Sequence, residues 1–176
     1  MAEELPIAII GAGLTGLLLA QGLEKRNLPF SIYEAETVAD YSRSREWGMS
    51  IQWALSMLPD LLPDEIMAGL KAACCDPYFD PPNNGCYMPV YNGETGEHIK
   101  DVPLVKYLRV SRSKMRKLLT SGLNVQYGKA FRSADFTKDT SSVLITFEDG
   151  TSATVRLLVA ADGANSAVRR SLFPDD

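Results

Sequence analysis

The sequence predicts an α/β fold with a parallel sheet, an antiparallel β-meander and one further β-hairpin, within a single domain over residues 1–176. Three observations lead to this prediction. The chain opens with a strand, a glycine-rich turn, a helix and a second strand; short β-branched runs alternate with turn signals in its second half; and a wholly apolar run lies near its C-terminus. With 176 residues, of which 45% are hydrophobic, the chain is large enough to bury one core.

The first 40 residues are predicted to form a βαβ unit. Ile7 to Ile10 is a β-branched run, and apolar residues then recur at helical spacing from Leu14 to Lys25. Pro29 disfavours helical geometry in the residue before it, so the helix ends there and Phe30 to Tyr33 is predicted as a second strand. This strand leads directly into the acidic residue Glu34.

The middle of the chain is predicted to contain two short helices and a β-hairpin. Helical spacing runs from Trp53 to Leu58 and from Asp64 to Ala73, with prolines between the two segments. The hairpin lies within residues 76–108, where strands from Cys86 to Tyr91 and from Glu97 to Val102 flank a turn that contains two glycines.

Residues 123–170 are predicted to form the meander and then a buried strand. The meander consists of strands at Val125 to Tyr127, Val143 to Phe147 and Ala153 to Val155, of which the last two are joined by Glu-Asp-Gly. Leu157 to Ala161 is apolar on every side, which predicts a position in the centre of the parallel sheet.

Composition and charge exclude several classes of function. The chain has 18 Lys+Arg and 22 Asp+Glu, a formal charge of −4, and no long basic run, so nucleic acid is not an expected partner. His98 is the only histidine, which argues against a histidine-based triad and a multi-histidine metal centre. Three cysteines, two of them adjacent, fit neither a disulfide framework nor a metal site, and they indicate a reducing, cytoplasmic location. The N-terminus matches neither a signal peptide nor a membrane span.

The turn after the first strand carries the pattern G-x-G-x-x-G, between a strand and a helix N-terminus. The first glycine permits a tight turn, the second lets a pyrophosphate approach the backbone amides, and the third lets the helix pack on the strand. Glu34 ends the second strand, where an acid can bind ribose hydroxyls. The sequence therefore predicts a Rossmann-like dinucleotide site for NAD or FAD, formed by Gly11, Gly13, Leu14, Thr15, Gly16 and Glu34.

The segment from Leu157 to Arg170, in which Asp162-Gly163 follows an apolar strand, resembles the FAD-dependent aromatic-hydroxylase family, also called group A flavoprotein monooxygenases. In that family the Asp-Gly motif supports the FAD pyrophosphate and a pyridine nucleotide site. The resemblance therefore implies cofactor roles for Asp162 and Gly163. The same residues also fit a helix cap followed by a turn, and the two roles are compatible.

A helix predicted from Ser111 to Leu119 carries a further match. Its start is similar to the Arg-x-x-Leu helix start of the family, in which the arginine reaches the FAD phosphates. Arg112 is the matching position, and Arg109 is a second candidate. A guanidinium makes a forked contact with phosphate that lysine does not make. A solvated basic helix face is the alternative interpretation.

The segment from Ser44 to Met49, together with Asp60 to Pro63, is similar to fungal members of the family, in which an arginine after the second strand approaches the adenosine or the pyrophosphate. Arg43 and Arg45 are the candidates for that position, and Arg45 is included in the predicted cofactor site. Trp47 and Trp53 are expected to pack in the interior rather than to stack on a flavin.

The resemblance implies FAD as cofactor, with NAD(P)H as the reductant, in a fungal-type monooxygenase that acts on an aromatic, polyketide or terpenoid small molecule. The family's enzymes are about twice as long as this chain, which has no second Gly-Asp motif, so the flavin ring is expected to lie exposed. The hairpin belongs to the substrate domain in such enzymes, and a homodimer or a partner chain is expected to cover its edge. A non-redox isomerase or cyclase and a non-catalytic binding or regulatory fragment are the alternatives.

Overall fold

The computed structural model describes residues 4–42, 47–79, 86–104, 107–137 and 141–173. Its strands are β1 (Ile7–Ile10), β2 (Phe30–Glu34), β3 (Gly48–Ile51), β4 (Cys86–Tyr91), β5 (His98–Leu104), β6 (Leu108–Ser111), β7 (Val125–Tyr127), β8 (Phe131–Phe136), β9 (Val143–Phe147), β10 (Ser152–Val155) and β11 (Leu157–Ala160). Its helices are α1 (Leu14–Glu24), α2 (Val38–Ser42), α3 (Leu58–Leu61), α4 (Asp64–Ala68), α5 (Arg112–Thr120) and α6 (Ala167–Leu172), with 3₁₀ turns at Trp53–Ser56 and Lys71–Ala73. Arg43 and Arg45 lie outside the described ranges.

A four-stranded parallel sheet has the order β11-β1-β2-β7. Helix α1 connects β1 to β2, as the βαβ prediction requires. All four residues of β1 are buried. Ile7 and Ile9 belong to the core on one face of the sheet, whereas Ala8 and Ile10 belong to a second core cluster. Since β1 is covered on both faces, it is an interior strand of the kind that α/β folds contain.

The position predicted for the apolar strand near the C-terminus is wrong. Within the described ranges β11 pairs with β1 alone, so it lies at an edge of the sheet and not at its centre. Leu157, its first residue, is 51% exposed. The apolar composition of a strand indicates that both of its faces are buried against other elements, but it does not specify whether a strand lies on one side of it or on both.

The meander is antiparallel as predicted, but one of its strands was assigned wrongly. β7 pairs in parallel with β2, and β8, which the sequence analysis did not predict, takes the expected place of β7 beside β9. The register shifts between Phe131 and Ser133, and this irregularity interrupts the alternation that would have indicated a strand. A three-residue strand such as β7 carries too short a pattern to identify its partner.

Two further strand pairs complete the fold. β4 and β5 form the predicted hairpin. β3 and β6 form an antiparallel ribbon that the sequence analysis did not predict, in which Gly48 lies opposite Ser111. This register places the start of α5 beside Trp47, whose carbonyl oxygen accepts a hydrogen bond from the N–H of Arg112 at 2.9 Å.

The two cores differ in what they hold together. One packs α1 against α3, α4 and α5, and includes the fully buried side chains of Leu17, Ile32 and Leu119. The other packs the parallel sheet against the meander and α6, where the rings of Tyr33 and Phe147 lie 4.7 Å apart between centroids. Burying one such large apolar side chain stabilises the fold by about 1.5–3 kcal/mol.

Both tryptophans lie at the surface, so the expectation that they pack in the interior is wrong. Trp47 is 53% exposed and Trp53 is 86% exposed. The size of a tryptophan side chain predicts a large contact area, but the sequence does not show whether that side chain faces the core or the solvent. In the part of the chain that the structure describes, the helices are too short or too polar to span a bilayer.

Candidate cofactor-binding site

A cleft of about 390 Å³ lies at the carboxyl ends of β1, β2 and β11, the edge of a parallel α/β sheet at which ligands bind. It brings together most of the residues that the sequence analysis predicted. These are Gly11, Gly13, Glu34, Arg112, Asp162 and Gly163. Leu14, Thr15 and Gly16 do not line it: Leu14 packs against the core, Thr15 is exposed and Gly16 is buried under the loop.

Gly11 and Gly16 are required by the fold itself. Gly11 has a φ of +104°, and a Cβ added to it would lie 2.6 Å from the carbonyl oxygen of Ala161. A Cβ on Gly16 would lie 2.0 Å from the carbonyl oxygen of Gly11. The first and third glycines of the motif therefore let β1, the loop and α1 approach each other closely.

Gly13 differs from both of these glycines. Its φ of −71° and ψ of 178° are open to any residue. Among the described residues, a Cβ added to it would meet just one atom within contact range, the carbonyl oxygen of Ala161 at 4.0 Å. Neither backbone conformation nor packing requires a glycine here, so the space beside Gly13 is space in the cleft.

Helix α1 directs its N-terminus at this space. Gly13 is its N-cap and has no side chain with which to cap it, and its first turn contains no acidic residue. The partial positive charge of the helix N-terminus is therefore not neutralised by these first-turn side chains. A helix N-terminus of this kind attracts phosphate groups.

Glu34 ties the glycine loop to the end of β2. Its Oε2 accepts a hydrogen bond from the N–H of Ala12 at 2.7 Å, and its Oε1 accepts one from the N–H of Glu36 at 2.9 Å. A carboxylate has about four acceptor sites, so two hydrogen bonds leave capacity for a hydroxyl donor. Glu34 thus has a structural role besides the predicted contact with ribose.

Asp162 caps α6 with one of its oxygens and leaves the other without a partner. Oδ2 accepts hydrogen bonds from the N–H groups of Ala167 at 2.7 Å and Val168 at 3.2 Å. Oδ1 is buried and has no hydrogen-bond partner among the residues that the structure describes. Because a buried polar atom without a partner costs about 1–3 kcal/mol, this oxygen is a candidate acceptor for a ligand in the cleft.

Arg112 is a cation that lines the cleft. Ser111 caps its helix, with Oγ accepting a hydrogen bond from the N–H of Lys114 at 3.2 Å. The guanidinium carbon of Arg112 lies 5.7 Å from the centroid of the Trp47 ring. Over the described ranges no carboxylate forms an ion pair with it, so its N–H donors are available to an anion.

Sequence reasoning missed two further cations that line the cleft, Arg116 and Lys129. Arg116 is 4% exposed, and its Nη2 lies 3.3 Å from Oε2 of Glu36. The Nζ of Lys129 lies 2.6 Å from Oδ2 of Asp149. Arg116 follows Arg112 by one helical turn, and this shared face was the signal that could have identified it.

Several fungal proteins are similar to this chain over nearly its whole length. The FAD-dependent monooxygenase phnB of Penicillium herquei is 43% identical over 169 residues, which are 96% of this chain and 41% of the relative. The FAD-dependent monooxygenase dbaB of Emericella nidulans is 38% identical, over 99% of this chain and 44% of the relative. No protein-family model matches the chain.

Solved structures share the fold. A Photorhabdus luminescens protein assigned as an FAD-containing monooxygenase superposes with a TM-score of 0.80 at 28% identity, over 98% of this chain and 43% of that protein. The 2,6-dihydroxypyridine-3-hydroxylase of Arthrobacter nicotinovorans superposes with a TM-score of 0.71 at 21% identity, over 98% of this chain and 40% of that enzyme. The chain is similar to part of the fungal FAD-dependent monooxygenases, and it spans about two-fifths of the length of the relatives it matches.

Proposed function

We propose that the chain binds the ADP part of FAD in this cleft and contributes the cofactor-binding portion of a monooxygenase that acts on a small molecule. The observation that carries the proposal is Gly13, a glycine that the protein's own backbone and packing do not require. The names of the fungal relatives support FAD as the ligand.

The residues present fit such a ligand in three ways. The N-terminus of α1 and the guanidinium of Arg112 offer positive charge to a pyrophosphate. The spare acceptor capacity of Glu34 suits a ribose hydroxyl. The Oδ1 of Asp162, which has no partner among the described residues, would accept a hydrogen bond from a further hydroxyl of the ligand. The pyrophosphate would therefore face positive charge, and each of the two hydroxyl groups would face a hydrogen-bond acceptor.

FAD, when bound, supplies the redox chemistry, with NAD(P)H proposed as its reductant. The chain's own residues bind and orient the cofactor. Its substrate is proposed to be a small molecule of fungal secondary metabolism, on the strength of the relatives named above. Three free thiols support a proposed location in the reducing cytoplasm, which a fluorescent fusion in the native host tests.

Titration of the protein with FAD tests the cofactor proposal, with Gly13→Ala as the decisive variant. The added methyl group occupies cleft space, and we expect FAD to bind at least tenfold more weakly. Loss of the glycine N-cap lowers the stability of the ligand-free protein by about 1 kcal/mol at most. Gly93→Ala, in the hairpin turn, is the matched control, because its Cβ meets no atom of the described residues within 4 Å.

Isothermal titration calorimetry gives the dissociation constants, and circular dichroism verifies the fold of each variant. If the unmodified protein takes up no FAD, or if the folded Gly13→Ala variant binds FAD as tightly as the Gly93→Ala control, the proposal fails.

We further propose that a second polypeptide covers the β4–β5 hairpin. Tyr87, Met88, Tyr91 and Ile99 are each at least half exposed, which makes an unusually apolar surface for two strands. Sedimentation velocity tests this proposal on the chain alone and after it is mixed with a polypeptide that corresponds to the remaining length of a fungal relative. A chain that stays monomeric and unbound in both experiments contradicts it.

A further inference from the structure

Trp47 is joined to Arg112 by two separate contacts. Its carbonyl oxygen accepts a hydrogen bond from the N–H of Arg112 at 2.9 Å, and its ring centroid lies 5.7 Å from the guanidinium carbon. The first contact fixes where α5 begins. The second lies between a π face and a cation, an arrangement that is attractive at this distance.

The second contact matters because Arg112 forms no ion pair with an acidic residue in the described part of the chain. Arg116, one turn further along α5, is held by the carboxylate of Glu36 at 3.3 Å. Arg112 lines the same cleft, and no ion pair with an acidic residue holds its guanidinium in the described ranges. An acidic partner would orient the guanidinium but would also compete with a phosphate for its N–H donors. An aromatic face orients it and leaves those donors open.

We propose that Trp47 is a positioning residue, which holds the Arg112 guanidinium for the pyrophosphate of the bound nucleotide without neutralising its charge. The proposal rests on the proposed function, since it assigns a task within the same cleft. An arginine side chain loses the conformational entropy of several rotatable bonds when it binds a ligand. Holding it in place before the ligand arrives reduces that cost, which is the general benefit of preorganisation.

The structure allows the ring to be removed while the main-chain link is kept. Because Arg112 donates to the carbonyl oxygen of residue 47, this hydrogen bond survives Trp47→Ala, and only the ring contact is lost. Trp47→Phe keeps an aromatic face. Trp53→Ala is the matched control, because Trp53 is the other tryptophan, is 86% exposed and lies at a different groove, beside Leu18 and Met49.

The experiment measures the dissociation constants of ADP and FAD for these variants by calorimetry, with thermal melting of each variant alongside. We expect Trp47→Ala to raise the dissociation constants of both ligands about two- to fivefold, the range that exposed cation–π contacts give. We expect Trp47→Phe to recover part of the loss and Trp53→Ala to bind as the unmodified protein does. In an Arg112→Ala background, Trp47→Ala should cause no further loss.

Each other outcome has a distinct meaning. If the unmodified protein binds neither ADP nor FAD, the proposed function itself fails. If it binds both and Trp47→Ala binds them equally well, the positioning role is overturned while the proposed function stands. If the loss persists in the Arg112→Ala background, Trp47 acts on the ligand or the fold directly, which also overturns the proposal.

Discussion

The carboxylate of Glu34 accepts a hydrogen bond from the N–H of Ala12 at 2.7 Å, so the acid that ends β2 and the glycine loop that follows β1 are held together. The same carboxylate accepts a hydrogen bond from Glu36, which follows on the chain. A residue predicted for ligand contact therefore also shapes the site, and this gives Glu34 a measurable effect without any ligand.

Replacing Glu34 should destabilise the ligand-free protein. Glu34→Ala removes both hydrogen bonds, and since a hydrogen bond to a charged group contributes about 1.5–3 kcal/mol, we expect a loss of about 2 kcal/mol or more. Urea unfolding measures the free energy of unfolding. Glu24→Ala is the control, because Glu24 is an exposed acid at the end of α1. Equal losses in the two variants would show that the tie to the loop is unimportant.

The three glycines of the loop should separate folding from binding. A methyl group on Gly16 would lie 2.0 Å from the carbonyl oxygen of Gly11, where neither backbone segment has room to move. Gly16→Ala should therefore destabilise the fold by about 3 kcal/mol or more, while Gly13→Ala chiefly weakens FAD binding. Thermal melting in the absence of ligand compares them. Similar melting temperatures for the two variants would contradict the packing argument.

Gln21 should stabilise the fold through its hydrogen bonds to the C-terminal end of α5. Its side chain is 2% exposed, and Nε2 donates to the carbonyl oxygens of Leu119 at 2.7 Å and Ser121 at 3.0 Å, at the end of α5. Gln21→Leu keeps the size of the side chain but removes both donors from buried or half-buried carbonyls. We expect a loss of about 2 kcal/mol in urea unfolding. Gln126→Leu, on the exposed side of β7, is the control.

Asp149 should make stability depend on pH in the acidic range. The hydrogen bond from Lys129, and then those from Thr151, lower the pKa of Asp149 from its ordinary value of 3.8 to about 2. Because the folded state holds the charged form, this stabilisation is fully present above pH 3.8 and is lost as the pH falls towards 2. The difference in stability between the unmodified protein and Asp149→Asn should therefore be constant near neutral pH and shrink between about pH 4 and pH 2.

Acid-dependent urea unfolding checks this window. Glu148→Gln changes the neighbouring acid, whose side chain has no hydrogen-bond partner among the described residues, unlike Asp149. This variant should leave the profile of the unmodified protein in place. A difference between the unmodified protein and Asp149→Asn that stays constant down to pH 2 would contradict the assignment.

The sequence predicted the parts of the site that are close together along the chain. Gly11 to Gly16 and Glu34 belong to one βαβ unit, in which strand, turn and helix follow each other directly, so their spacing carries the geometry. Arg112 and Asp162 reach the cleft through pairings that spacing does not encode, β3 with β6 and β11 with β1. They were found through the family resemblance instead.

The errors have a common physical origin. Arg116 was missed, because a sequence shows charge but not the core that buries it. β7 was placed in the meander because a short strand does not show which neighbour it will pair with. In both cases tertiary contacts decided what the local pattern left open.

Asp162 offers the sharpest separation between a capping role and a ligand role. Asp162→Asn keeps an oxygen that can accept from Ala167 and Val168, but it places an N–H₂ group where Oδ1 lies buried, with no partner in the described part of the chain. The stability of the ligand-free protein should change by less than about 1 kcal/mol, because the cap is kept. FAD binding should weaken about tenfold or more, because a donor on the protein then faces a donor on the ligand.

Ser166→Ala is the matched variant for this test. Ser166 Oγ accepts a hydrogen bond from the N–H of Arg169 at 2.9 Å and caps the same helix, but Ser166 does not line the cleft. Its removal should lower stability by about 1 kcal/mol and leave FAD affinity unchanged. Calorimetry with FAD and urea unfolding together distinguish the two residues. If Asp162→Asn follows the pattern of Ser166→Ala, Asp162 serves only as the helix cap through Oδ2, and its Oδ1 does not bind the ligand.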